Sequence, residues 1–384
     1  MNIFIKKNFW GLDFFFVRKN LFFREGIYNS NKLFVKNTIW IILLRENNKI
    51  GIGECNPLLL KDKFMKNYNN IEYEINNILK LNYPHDLKLR HYRKFPSPNP
   101  SILFALEQAI FSLKSKFPIL YASPFTKGLR GIPLNNLIWL DFYKKRSQKE
   151  LLKIIEKKMI FGFRSFKIKI EKKLLDNLCC FLTELEKKYP FIQIKLDANS
   201  CFNNVNDTLY FINRELNNFK SIYYIEQPIA PGNWGDMALI CRNSILPIAL
   251  DEELIGINKL YKKKELLNFI KPDFLIIRPS VNGGFFESEE WILEANKRKI
   301  KWCVSSSLDS NIGINAISQW TFVMSQKYKE NNSYFHGLYT GNIYKNEISP
   351  KLKLKIKKGS IWMNKFINFE YQKNEFYPYP YNYL

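Results

Sequence analysis

The sequence predicts an α/β protein in two parts, an α+β domain followed by a closed parallel barrel, and three observations carry that prediction. From about Gly131 onward, short β-rich runs alternate with helical stretches, at a period of roughly 25–30 residues per βα unit. Before that point the texture differs, with a hairpin signal and two helical patterns. Within the alternating region, the ends of successive strand candidates carry charged side chains in step with the period, and strand ends are where a parallel barrel places its chemistry.

The first 125 residues read as α+β. Leu33 to Val35 and Thr38 to Leu44 are strand-like, Asn47-Asn48 supplies a turn, and Ile50 to Gly53 continues as the second strand of a hairpin. Helical patterns follow over Ile71–Leu81 and Ser101–Lys114. In the second, Ile102, Ala105, Leu106, Ala109 and Leu113 fall at helical spacing behind a serine N-cap. The strand candidates of the alternating region are Leu137–Leu140, Ser165–Ile170, Gln193–Leu196, Tyr223–Ile225, Ile248–Leu250, Phe274–Ile277 and Trp302–Ser305. Helix candidates lie between and after them, at Lys149–Lys158, Lys172–Lys188, Val205–Asn218, Asp236–Asn243, Lys259–Phe269, Glu287–Lys297 and Ile314–Ser325. Seven or eight units in sequence favour closure into a barrel over an open doubly wound sheet. After about Tyr334 the pattern lapses into a polar, aromatic tail, expected to pack back on the N-terminal domain. The expected division is therefore 1–125, 126–335 and 336–384.

At 384 residues and 46% apolar content the chain can bury a full core, but its formal charge of +24 needs an account. Clustered Lys and Arg would mean nucleic acid or an anionic surface. Here the basic residues recur from one end of the chain to the other, alongside abundant Asn, Ile and Phe. Compositional drift is the favoured reading, and neither nucleic acid nor membrane is expected as a partner. A general positive field would still draw in an anionic substrate. Cys55, Cys179, Cys180, Cys201, Cys241 and Cys303 form no CxxC pair, so reduced thiols in a cytoplasm are the expectation. Lys6 and Lys7 come early, but Asp13 and Arg18 interrupt the following apolar stretch, so no signal peptide is expected. The longest apolar runs fall far short of the roughly 20 residues that span a bilayer. The sequence assigns no oligomeric state.

Read in order, the strand ends give Lys169, Asp197, Glu226, Asp251 and Arg278. Three carboxylates converging in a low-dielectric pocket repel one another, and a hard divalent cation resolves the repulsion. Oxygen-only ligation suits Mg²⁺, with Mn²⁺ as the alternative. Lys167 and Lys169 sit two apart on a strand and so share a face. If that face is the interior, desolvation and like charge lower their pKa values and make a neutral amine base available. Only His85, His91 and His336 exist, none in the predicted barrel stretch, which leaves no material there for an imidazole zinc site or a Ser-His-Asp triad. Gly283-Gly284 follows no Walker or G-x-G-x-x-G pattern, and a strand-to-helix turn is its plain role. Ser305, Ser306 and Ser307 either offer donors to an anionic substrate group or cap the next helix. The substrate-binding candidates are Ser305, Ser306, Gly283 and Asn199.

These residues resemble a known series. Lys167-Ile168-Lys169, Leu196-Asp197-Ala198-Asn199, Ile225-Glu226-Gln227-Pro228 and Leu250-Asp251-Glu252 look like successive barrel motifs of the enolase superfamily, muconate-lactonizing subgroup. Gly51-Ile52-Gly53-Glu54-Cys55-Asn56-Pro57-Leu58 resembles the G-x-G-E-x-x-P-L of its capping domain. Leu134 to Trp139 and Ser305 to Gly313 look most like the o-succinylbenzoate synthases, and Gly337-Leu338-Tyr339-Thr340-Gly341 is similar to their L-G-T-G segment, with Tyr339 where a glycine is usual. The resemblance implies an enolase-like fold, an N-terminal α+β capping domain over a modified (β/α)7β TIM-type barrel. It implies Mg²⁺ on Asp197, Glu226 and Asp251, a small carboxylate substrate, and dehydration of a succinyl-bearing cyclohexadiene carboxylate to o-succinylbenzoate. Lys169 would take the proton α to the carboxylate, since enzymes of this superfamily pair a Lys or His base with Mg²⁺ that stabilises an ene-diolate. A cycloisomerase, an N-acylamino acid racemase or dipeptide epimerase, and a catalytically decayed homologue are the alternatives. Arg278 stands where the family places a second lysine. Arginine stays protonated, so it cannot be the second base a racemase needs, whereas a syn dehydration needs one base only. Lys195, where arginine is common, is a milder departure.

Overall fold

The computed structural model describes residues 3–9, 12–29, 32–60, 69–80, 99–139, 148–172, 175–328, 335–338, 343–349, 352 and 354–364. The N-terminal part is an antiparallel sheet in the order β1 (Ile3–Phe9), β2 (Leu12–Asn29), β3 (Lys32–Glu46), β4 (Lys49–Cys55). Two helices follow, α1 (Asn69–Lys80) and α2 (Pro100–Ser115). β3 joins the two short runs read from the sequence into one strand, and β3 and β4 form the expected hairpin. β1 and β2 have no counterpart among the sequence-based strand candidates. The reason lies in β2: Phe14 and Phe16 pack against α1 and α2, while Phe15 and Val17 pack into a second cluster that holds Ile39, Ile41 and Tyr344. Alternate residues point to opposite faces, and Phe14 to Val17, buried on both faces, show no polar alternation to detect. Gly51 and Gly53 let α2 lie directly on β4, since a Cβ at either would stand 1.9 or 1.8 Å from a helix carbonyl oxygen, Ala109 or Ala105. The α2 N-cap is Asn99 rather than Ser101: its side chain accepts the Ser101 N–H at 3.1 Å, and Pro100 occupies the first turn. Leu81 lies outside the described residues.

The second part is one parallel sheet of β6 (Asn135–Trp139), β7 (Ser165–Lys169), β8 (Gln193–Asp197), β9 (Ile222–Glu226), β10 (Ile248–Leu250), β11 (Phe274–Ile277) and β12 (Lys301–Val304), paired in sequence order. A two-residue strand, β5 (Ile132–Pro133), precedes it. Helices α3 (Gln148–Ile160), α4 (Leu175–Lys188), α5 (Val205–Tyr210), α6 (Trp234–Asn243), α7 (Leu260–Ile270), α8 (Gly284–Lys297) and α9 (Asn311–Lys327) follow the seven strands one by one. Each apolar helix face joins the strands' outward side chains in one continuous core. α5 passes into a π turn at Phe211–Glu215, so the helix read to Asn218 ends earlier. Leu140 and residues 173–174, at the edges of two expected elements, lie outside the described residues.

Residues 335–338 close the sheet. Leu134 bridges His336 and Ser305 bridges Gly337, both in parallel sense, so this segment bonds to the edges that β6 and β12 would otherwise leave open. The Asn135 N–H donates to the His336 carbonyl at 3.0 Å and the Gly337 N–H to Val304 at 2.8 Å. The tail expected over 336–384 therefore divides. His336 to Leu338 belong to the barrel, where they satisfy both edge strands. Residues 343–349 belong with the N-terminal sheet: the Arg24 N–H donates to the Ile343 carbonyl and Tyr344 stacks on Phe23 at 4.8 Å. A final hairpin, β13 (Leu354–Lys357) and β14 (Ser360–Met363), pairs with β5 beside the barrel. His336 thus stands in the barrel wall, with Nδ1 accepting the Val304 N–H at 3.1 Å. Burial, and then nearby Lys195, push its pKa down to about 3, so it serves as a neutral acceptor.

Candidate active site

Parallel pairing sets the height of each strand end. Lys169 pairs with Asp197, Asp197 with Glu226, and Glu226 with Ala249. Lys169, Asp197 and Glu226 thus form one row across three adjacent strands. Asp251 follows β10 directly and Arg278 follows β11, which extends the row around the barrel mouth. All five sequence-predicted strand-end groups are brought together, and the three acids are buried.

Two cations stand among the acids. Lys167 Nζ lies 2.6 Å from Glu226 Oε1 and 2.9 Å from Asp197 Oδ2. Arg278 forks onto Asp251, with Nε donating to Oδ1 at 2.7 Å and Nη2 to Oδ2, while Nη2 stands 3.6 Å from Glu226 Oε1. Burial favours neutral forms throughout this cluster. It pushes the Glu226 carboxyl up to about 8 against the pull of Lys167, and it also raises Asp251. Burial works the same way on Asp197, but Lys167 and Lys169 outweigh it and hold that carboxyl below the usual range.

The two lysines part company here. Burial lowers the Lys169 pKa, with Lys167 adding to the effect, as the sequence reading anticipates. Lys167 goes the other way: burial opposes its charge, yet Asp197 and Glu226 outweigh burial and raise it. Sharing a face with Lys169 does not make Lys167 a neutral amine, because the acids converge on it rather than on the neighbouring position. Lys167 is a fixed ammonium. Burial acts on both amines, but only at Lys169 does it outweigh the acids and leave the pKa lowered.

Among the described residues, no three acidic, histidine or cysteine side chains converge on one point at ligating distance, since Lys167 and Arg278 stand between them. The donor set nonetheless fits a hard divalent cation. It consists of three buried carboxylates from adjacent strands, oxygen throughout, and among the described residues Glu226 Oε2 is buried without a hydrogen-bond partner.

The remaining candidates are placed as follows. Asn199, on the turn after β8, accepts a hydrogen bond from Lys169 Nζ and donates to Glu252 Oε1 at 3.2 Å. Its nearest described partner is thus Lys169 rather than open cavity. The Ser305 and Ser306 hydroxyls both lie within reach of the Gly337 carbonyl, at 3.4 and 3.3 Å, and Arg278 Nη1 donates to the Ser306 carbonyl at 3.4 Å. Neither serine caps α9; Ser310 does, accepting the Ile312 N–H. Gly283 is the N-cap of α8 at φ 95°, and at Gly284 a Cβ would run into the Glu107 carboxylate. That pair is a strand-to-helix turn pinned by the capping domain. Tyr339, Thr340 and Gly341 lie outside the described residues, as do His85 and His91.

Several buried groups escape the sequence reading. Glu54 from β4 accepts the Ser310 N–H and the Gly313 N–H, each at 2.8 Å, and the Ser310 hydroxyl. Burial, and then Asp309, push its pKa up to about 7. Glu107 from α2 accepts the Phe285 N–H at the start of α8. Glu252 joins the Lys169 and Asn199 network. Glu54 lies inside a quoted motif, but no local spacing signals that it reaches residues more than 250 positions away.

A two-layered capping domain over a parallel barrel whose strand ends carry Lys, Asp, Glu and Asp in that order defines a class: the chain belongs to the enolase superfamily. Within that superfamily its kinship is with o-succinylbenzoate synthase. The curated enzyme of that name from Desulfotalea psychrophila is 35% identical over 256 residues, 66% of each chain. The solved structure of MenC from the same organism superposes with a TM-score of 0.76 at 28% identity, covering 92% of this chain and all of that one. An N-succinylamino acid racemase from Thermus thermophilus is 29% identical over 215 residues, 56% of this chain and 55% of the relative. The L-Ala-D/L-Glu epimerase of Bacillus subtilis shares the fold, with a TM-score of 0.73 at 17% identity over 91% of this chain and 95% of that one. In sequence alignment the chain thus spans about two thirds of the curated synthase and just over half of the racemase. No protein-family model matches the chain.

Proposed function

We propose that this protein dehydrates 2-succinyl-6-hydroxy-2,4-cyclohexadiene-1-carboxylate to o-succinylbenzoate, as a metal-dependent lyase of menaquinone biosynthesis in the cytoplasm. The observation that carries the reading is the single base. Lys169 is the amine that burial favours as neutral, whereas Lys167 is held as an ammonium by two acids and Arg278 is locked onto Asp251.

Lys169 takes the proton α to the substrate carboxylate, and Asn199 Oδ1 fixes the direction of its Nζ. Asp197, Glu226 and Asp251 would hold Mg²⁺ or Mn²⁺, which supplies positive charge to the substrate carboxylate as negative charge gathers there. Lys169, now carrying the proton, then hands it to the departing hydroxyl on the same face, so water leaves and the ring becomes aromatic. Lys167 and Arg278 keep permanent positive charge beside the acids throughout. The serine loop at Ser305 and Ser306, with Gly283 after the neighbouring strand β11, is where the succinyl chain would lie. The expected partner is thus a small carboxylate, with neither nucleic acid nor membrane. Among the described residues, no helix is long and apolar enough to cross a bilayer.

The racemase reading has a relative in its favour. It needs a base on each face of the substrate carbon, and the position opposite Lys169 holds an arginine that cannot deprotonate at working pH. The deciding experiment follows aromatisation of the succinyl cyclohexadiene acid by absorbance, with purified protein, before and after chelation and on return of Mg²⁺. Turnover that chelation removes and Mg²⁺ restores supports the dehydratase. Absence of turnover, with exchange of the α-hydrogen of N-succinylamino acids, would replace it with the racemase.

A further inference from the structure

The loop that follows β12 is held from the capping domain as well as from the barrel, where Ser280 Oγ donates to Asp309 Oδ2 at 3.5 Å. Asn56 Nδ2 stands within hydrogen-bond reach of three acceptors on that loop, the Ser307 carbonyl at 3.1 Å, the Leu308 carbonyl at 3.2 Å and Asp309 Oδ1 at 3.4 Å. Two residues earlier on β4, Glu54 takes the Ser310 and Gly313 N–H groups and the Ser310 hydroxyl. Inside the loop, Asp309 Oδ2 accepts the Ser307 N–H at 2.7 Å. Asn56 is itself held by Asn37, whose Nδ2 donates to Asn56 Oδ1 at 3.2 Å and to the Tyr344 hydroxyl at 2.9 Å. Tyr344 in turn donates to the Leu308 carbonyl. Every one of these side chains is buried, and together they fix residues 307–313 from outside the barrel.

We infer that Glu54 and Asn56 are positioning residues for the substrate-side loop, so that these two side chains set where Ser305 and Ser306 stand by acting through residues 307–313. The geometry favours this over a plain domain adhesive. The Glu54 carboxylate and the Asn56 amide N–H groups turn to one short loop next to Arg278 and the candidate serines, and Leu308 within it holds a left-handed backbone at φ 60°. A non-glycine residue keeps that conformation only where its surroundings impose it. The substrate half of the inference rests on the dehydratase reading, but the loop half does not.

The test measures both halves on full-length Glu54→Gln and Asn56→Ala proteins. Glu54→Gln keeps the shape but puts an amide N–H where one of the two accepting oxygens stood, facing either the Ser310 N–H or the Gly313 N–H. Amide hydrogen exchange of peptides covering residues 305–313 is expected to quicken about tenfold or more, with β8 and β9 unchanged. KM for the succinyl cyclohexadiene acid is expected to rise about tenfold while kcat stays within about threefold. Unchanged loop exchange together with unchanged KM would overturn the inference, as would a fall in kcat at constant KM. Should Glu54→Gln lose protection across β8 and β9 as well, the milder Ser310→Ala decides, since it removes one hydroxyl and must still raise loop exchange and KM. If wild-type protein fails to turn over this acid, the dehydratase reading falls, and the exchange data alone judge whether the capping domain holds the loop.

Discussion

Two successive layers of the barrel interior, built from the same strands, do opposite things with their polar groups. At the mouth, Lys169, Asp197, Glu226, Asp251 and Arg278 face one another across a space where charge is crowded. One layer down, Lys167 sends its ammonium up to the acids, while Lys195, Tyr224, Ala249, Ile276 and Cys303 fill the barrel. There Lys195 donates to the Phe335 carbonyl at 2.6 Å and lies over the Tyr224 ring, while the Tyr224 hydroxyl meets Cys303 at 3.7 Å. Lys195 and Asp197 are two residues apart and both buried, yet the lysine ends on backbone and an aromatic face, and the acid ends on other charges. The difference shows that burial alone does not make a reactive group. The lower layer gives Lys195 local partners, whereas the upper layer, with Lys167 reaching into it, sets charge against charge and leaves Glu226 Oε2 without a hydrogen-bond partner among the described residues.

If that contrast is right, substitutions in the upper layer act on turnover and those in the lower layer on stability. The largest expected effect is Lys169→Ala, which should lower kcat by about a thousandfold or more, with the thermal midpoint and metal affinity near wild type. Retained turnover would remove Lys169 as the base. Arg278→Lys should come next: it breaks the fork on Asp251 but keeps a cation. Dehydration should stay within about tenfold of wild type or rise. A dead Arg278→Lys protein with normal folding would assign the guanidinium a required role of its own. Lys195→Met should leave kcat within about threefold and cost roughly 1–3 kcal/mol of stability, since the Phe335 carbonyl loses its donor. A large loss of kcat with Mg²⁺ binding intact would mean that the two layers are not separable.

The smallest effect concerns pH. His336 is held neutral when folded, with a pKa near 3 against an ordinary value of 6.5. Between those values the unfolded chain binds the proton and the folded chain does not, so this residue's contribution is complete above about pH 6.5 and is lost as pH falls toward 3. Glu54, pushed up to about 7 from 4.5, works in reverse: the folded protein binds the proton over that window, so stability from this group declines as pH rises through it. His336→Asn should therefore flatten the acid side of a midpoint-versus-pH curve, and Glu54→Gln the side between pH 4.5 and 7. Parallel curves for the variants and wild type would reject both assignments.

The upper layer is legible in the sequence because a parallel barrel turns strand order into spatial order. Once Ser165–Ile170 and its successors are placed, Lys169, Asp197, Glu226, Asp251 and Arg278 have to meet at the mouth. What the sequence does not carry is direction within that meeting, so Lys167 and Lys169 read alike there although the acids separate them. Long-range partners are equally hidden. Nothing near Glu54 in sequence points to Ser310, and nothing near Phe335 points to Lys195. β2 escapes detection because its phenylalanines serve two cores at once, which erases the alternation that marks a half-buried strand.

The closing segment has a consequence for how the chain is made. His336 and Gly337 supply the stave between β6 and β12, and residues 343–349 complete the N-terminal sheet, where Asn346 Nδ2 donates to the Asn20 carbonyl 326 positions upstream. A ribosome that has released everything up to β12 still holds back the pieces that seal both halves. Until they emerge, the nascent protein presents open strand edges in both halves to its surroundings, a state in which edge-to-edge association competes with folding. The last tenth or so of the described chain is therefore the step that commits the two halves to a single molecule, and chaperone demand should peak just before it appears.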